Sequence, residues 1–141
     1  MKRNKKRTPV ILIFTLLFCT LSLTGCSLAE EPIVKIRDLD FTVLDEDAIP
    51  APLLEVIQEN LSTEMKLSYQ NNGTLYIARG FGQQKTGGYS IAVDQMYLAE
   101  DGIHVKFHLI GPSKDQKLSE EPSYPYLVIQ TEDLGEEIVF E

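Results

Sequence analysis

The stretch Y89-S-I-A-V-D-Q-M-Y-L-A-E-D-G-I-H-V-K-F-H-L-I110 decides the fold class. In its second half Ile103, Val105, Phe107 and Leu109 alternate with His104, Lys106 and His108. A period of two predicts a strand with one dry and one solvated face, and both histidines fall on the solvated one. The first half alternates as Tyr89, Ile91, Val93 and then places Met96 and Leu98 on the other parity after Asp94-Gln95. That change of phase predicts a β-bulge. Asp101-Gly102 between the halves tolerates the positive φ of a hairpin turn.

Working outward, Asn71-Asn72-Gly73 gives a second hairpin between two apolar-rich runs, the later one at residues 74–81. Further strands are expected at residues 41–44, 126–130 and 138–140. The one helical pattern is PAPLLEVIQENLS, in which Leu53, Leu54, Ile57 and Leu61 share a face and Pro50 and Pro52 pre-set the start. The expected fold is mainly β, of the α+β type: about six mostly antiparallel strands with one short amphipathic helix packed on the sheet.

The N-terminus reads differently. MKRNKKR carries five cations, PVILIFTLLFCTLSL follows as an apolar run of signal-peptide length, and Leu23-Thr24-Gly25-Cys26 looks like a bacterial lipobox. The expected organisation is a lipoprotein signal peptide over 1–25, a tether over 26–31 and one β-rich domain over 32–141. An ordinary signal peptide or an uncleaved anchor helix is the alternative. Cys26 would be the lipidated first residue, and two acyl chains on it make a stable anchor. The expected location is the extracytoplasmic face of a bacterial cell membrane, held there by lipid alone. Cys19 leaves with the signal, so the mature domain has no disulfide to rely on.

The five cations also leave with the signal, so 8 of the 13 Lys+Arg remain against 21 acidic residues, a net charge of −13. Nucleic acid is thereby an unfavourable partner. Catalytic patterns are missing as well. On a strand His104 and His108 lie about 13 Å apart, too far for one metal ion. The acids of DLDFTVLDEDA are interrupted by apolar residues and lack the central glycine of a calcium loop. No G-x-S-x-G nucleophile motif occurs. The chain is therefore read as a non-enzyme with no cofactor and no metal.

R79-G-F-G-Q-Q-K-T-G-G-Y-S-I91 holds four glycines within nine residues. With Lys85 as the lysine of a phosphate loop, the required glycines fall on Gln84 and Arg79. The dinucleotide pattern that starts at Gly80 and Gly82 meets Lys85 at its third glycine. Neither nucleotide motif survives, and the segment is either a turn that uses glycine's freedom or a recognition loop. The long polar connection G111-P-S-K-D-Q-K-L-S-E-E-P-S-Y-P-Y126 ends in Tyr124-Pro125-Tyr126, a second recognition candidate or a half-buried packing cluster.

Residues 82–113, GQQKTGGYSIAVDQMYLAEDGIHVKFHLIGPS, followed by SYPYLVIQ at 123–130, resemble the C-terminal domain of PrcB-like protease-complex subunits. The likeness extends over about residues 75–140 and rests on Thr86-Gly87-Gly88-Tyr89 and Pro125-Tyr126. It implies a non-catalytic surface lipoprotein that associates with a secreted or surface protease and stabilises it. Thr86, Gly87, Gly88, Tyr89, Tyr124, Pro125 and Tyr126 are the partner-binding candidates under that resemblance. QKTGGY is also similar to the wedge loop of chagasin-like protease inhibitors, but lacks its Asn and Pro. An inhibitor, or a non-catalytic envelope lipoprotein that binds a ligand, is the alternative reading.

Overall fold

The structure, a computed structural model, describes residues 32–115, 117 and 119–141. The expected signal peptide, Cys26 and the tether lie outside the described residues. No helix among those described is long and apolar enough to cross a membrane.

The Asn-Gly turn sets the first hairpin. Asn72 (φ 49°) and Gly73 (φ 77°) both take left-handed backbone, matching the right-handed twist of the strands they join. β3 (Glu64–Asn71) and β4 (Thr74–Phe81) therefore pair in register from Asn71↔Thr74 to Glu64↔Phe81. β4 pairs on its other side with β7 (Tyr126–Glu132), and β2 (Thr42–Val43) closes the far edge, giving a sheet in the order β2-β7-β4-β3. The central pair is apolar on both faces: Ile77 and Ile129 point one way, Ala78 and Val128 the other.

A second sheet has the order β1-β5-β6-β8, from β1 (Lys35–Asp38), β5 (Ser90–Ala99), β6 (Gly102–Ile110) and β8 (Ile138–Phe140). Its register shifts between Val93 and Gln95, the bulge expected from the change of parity. The β5–β6 turn consists of Glu100-Asp101, one residue earlier than expected, because Gly102 already pairs with Ala99. β8 joins β6 in parallel, while every other strand pairing among the described residues is antiparallel.

Among the described residues the strand count is thus eight rather than about six, in two sheets rather than one. Leu75, Ile77 and Ile129 of one sheet meet Met96, Ile103, Val105 and Phe107 of the other in a shared core. The helix α1 (Ala51–Asn60) covers the outer face of the β2-β7-β4-β3 sheet. Pro50 accepts bonds from Leu53 and Leu54 N–H at its carbonyl, and Pro52, in the first turn, has no N–H to leave unpaired there. Leu53 and Ile57 are buried against Met65, Ala78 and Val128, with Leu54 and Leu61 beside them, so the expected stripe is the packed one. Full burial of Ile57 is worth about 2–3 kcal/mol.

Candidate functional site

β4 ends at Phe81 and β5 begins at Ser90, so residues 82–89 carry the chain from one sheet to the other. The crossing starts at a crowded point. Gly82 has φ +66°, and a Cβ there would lie 3.1 Å from both the Ser62 carbonyl oxygen and the Thr63 carbonyl carbon. Gln83 N–H donates to that Ser62 oxygen at 3.3 Å. Only glycine fits the turn, which then aims the rest of the loop toward residues 119–125.

There the two candidate segments are joined. Gln84 and Ser123 exchange backbone bonds, Gln84 N–H to Ser123 O at 2.8 Å and Ser123 N–H to Gln84 O at 3.1 Å. The Ser123 hydroxyl donates to Thr86 O at 2.6 Å, and Gly87 N–H donates to Ser119 O at 3.4 Å. Gln84 Nε2 donates to Phe81 O at 2.9 Å, and Phe81 N–H to Pro125 O at 3.2 Å. Two connections far apart in sequence form one hydrogen-bonded surface. Gly88 (φ +85°) is exposed on it, Thr86, Gly87, Tyr89 and Pro125 are half-buried, and Tyr124 is exposed.

Tyr126 departs from this group. Its side chain packs toward α1, and its hydroxyl donates to Glu46 Oε2 at 3.0 Å. Burial, and then the bond to Glu46, push its pKa up and keep it a neutral donor. The residue ties β7 to the 3₁₀ turn Glu46–Ala48.

Arg79, which sequence reasoning passed over, braces the base of the loop. Its guanidinium is buried, donates to Met65 O at 3.1 Å and Gly80 O at 2.7 Å, and pairs with Glu64 Oε1 at 2.5 Å. It also sits 4.1 Å from the Phe81 ring centroid. The signal was a lone arginine between Ala78 and Gly80 in an otherwise apolar strand.

The family described as PrcB C-terminal matches residues 75–132. Over those residues the chain is similar to that family. No curated protein and no solved structure matches the chain. The matched segment runs from β4 to the end of β7, and so contains both halves of the joined surface.

The matched segment also holds both histidines, and here one expectation is corrected. His108 does stand on the solvated face, half-exposed, with Nδ1 2.6 Å from Asp94 Oδ1. His104 is 1% exposed. Its Nε2 lies 2.8 Å from Asp101 Oδ1 and its Nδ1 2.9 Å from Glu141 Oε1, while the Tyr97 ring stacks on it at 4.9 Å. Alternation gave the direction of the side chain correctly, but Tyr97, Asp101 and Glu141 close over it. With both ring nitrogens held by carboxylates, this imidazole has no free nitrogen with which to act as a base.

Proposed function

We propose that this chain is a lipid-anchored, extracytoplasmic, non-catalytic subunit that associates with a secreted or surface protease and stabilises it. The observation that carries the reading is the extent of the PrcB C-terminal match. It takes in both segments that fold into one surface, residues 82–89 and 119–125, as well as much of the core. The surface suits recognition: it is hydrogen-bonded internally, which lowers the ordering cost of binding, and it presents an aromatic residue, Tyr124, beside an exposed glycine backbone. Thr86, Gly87, Gly88, Tyr89, Tyr124 and Pro125 are the contact residues.

The bonds of Gln84, Thr86 and Gly87 to residues 119–123 hold the glycine loop against its neighbour. That arrangement favours docking of a broad surface over insertion of a free wedge into a protease cleft. Two measurements test the proposal. Full-length protein captured from detergent extracts is expected to bring down a protease that labels with an active-site-directed probe; recovery of unrelated envelope proteins alone would overturn the association. Mass spectrometry of the N-terminal peptide is expected to show a diacylated Cys26, and an unmodified cysteine would remove the anchor.

A further inference from the structure

Ile33, Val34 and Ile36 are 56%, 52% and 57% exposed, the highest values among the exposed large hydrophobic side chains of the described residues. All three lie on or just before β1, at one edge of its sheet. The strip is held in place. Glu100 N–H donates to Val34 O at 3.2 Å, and β1 pairs with β5 from Lys35↔Ala99 to Asp38↔Tyr97. Lys35 lies between the apolar residues and Arg37 follows them; they pair with Asp38 and Glu132 respectively, in exposed ion pairs that hold them weakly.

Three exposed aliphatic side chains within four residues at one sheet edge ask for a cover. The sequence places Cys26 seven residues before Ile33, a span of at most about 25 Å when fully extended. We infer that the edge formed by residues 33–37 rests on the bilayer, with Ile33, Val34 and Ile36 at the boundary of headgroups and acyl chains and Lys35 and Arg37 toward the lipid phosphates. The inference rests on the lipid-anchor reading of Cys26. An apolar strand with interspersed cations matches the chemistry of an interfacial segment. The remaining surface is strongly acidic and is repelled by anionic lipid, so contact is confined to this edge and the domain is oriented by it.

A lipidated Cys26 leaves no free thiol in the mature chain, so single-cysteine labelling is clean. Full-length Ile36→Cys and Glu59→Cys variants, the second on the exposed side of α1, would each carry a polarity-sensitive dye. Both are reconstituted into phosphatidylcholine–phosphatidylglycerol vesicles containing a spin-labelled lipid. Quenching at position 36 is expected to exceed that at 59 by about threefold. Equal quenching at both, or none at 36, on protein whose N-terminal peptide carries lipid would overturn the proposal and leave the anchor standing. An unlipidated peptide overturns both. Dye self-quenching at 36 that persists without the spin-labelled lipid assigns the edge to a second copy of the chain and likewise overturns the proposal.

Discussion

His104 Nδ1 lies 2.9 Å from Glu141 Oε1, and this contact fastens the last residue of the chain to the second strand of the β5–β6 hairpin. Glu141 is held from other sides too: its N–H donates to Val105 O at 3.0 Å, and its carboxylate accepts from Tyr97 Oη at 2.7 Å and Gln95 Nε2 at 2.9 Å. β8 is only three residues long and lies at a sheet edge. The side-chain cluster supplies what so short a ladder lacks.

Stability should depend on pH through this cluster. Burial lowers the His104 pKa, but the bonds to Asp101 and Glu141 and their charges outweigh it and raise the pKa above the ordinary 6.5. The bond from Tyr97, and then that from His104, lower the Glu141 pKa below 4.5. The histidine's contribution is fully present below pH 6.5 and is lost as pH rises through its raised folded value. That of Glu141 is fully present above pH 4.5 and is lost as pH falls through its lowered folded value. Both are therefore complete between these limits. Urea midpoints are expected to fall on the alkaline side, and His104→Gln is expected to flatten that limb while costing about 1–3 kcal/mol near pH 6. Parallel alkaline limbs in the two proteins would show that His104 is not the linked group.

The same residue shows where the sequence was readable. Alternation along 103–110 assigned each side chain to a face, which local geometry dictates, but not what covers that face; Glu141 is 37 positions away. The Asn72-Gly73 hairpin and the β5 bulge were legible because turn chemistry and parity are local. β1 was not, since all four of its residues are exposed and its burial shows no period. The division into two sheets was hidden as well, because strand order depends on pairings such as Ala78↔Val128 between distant segments. Both recognition candidates could be picked out in the sequence, but the Gln84↔Ser123 bridge that joins them could not.

Gly102 and Gly73 should respond differently to alanine. Gly102 has φ +140°, and a Cβ there would lie 2.5 Å from Glu137 O, the backbone acceptor of Ile103 N–H. Relief would require separating β8 from β6, so Gly102→Ala is expected to cost about 3 kcal/mol or more. Gly73 has φ +77° with no atom near its missing Cβ, and Gly73→Ala is expected to cost about 1–2 kcal/mol, the left-handed backbone penalty alone. Equal losses in urea denaturation would mean that the Glu137 contact is not limiting.

Two tyrosines separated by one proline should behave oppositely. Tyr124 is exposed, so Tyr124→Ala is expected to leave the urea midpoint nearly unchanged while weakening protease capture about tenfold. Tyr126→Phe loses only the bond to Glu46, and is expected to cost about 0.5–1.5 kcal/mol of stability with capture intact. Undiminished capture by Tyr124→Ala would take that residue out of the contact surface.

Ser123→Ala probes whether the joined surface must be preorganised. The substitution removes the 2.6 Å bond to Thr86 O but leaves the backbone exchange between Gln84 and Ser123 in place. Global stability is therefore expected to change by no more than about 1 kcal/mol. Locally the Thr86 carbonyl loses its partner, and the Gly87 amide, whose bond to Ser119 is 3.4 Å long, should exchange with solvent faster. If the protease docks on this surface, the loop must be ordered again on binding, and capture should weaken several-fold while contact side chains stay unchanged. Faster exchange at Gly87 together with full-strength capture would place the docking surface elsewhere on the domain.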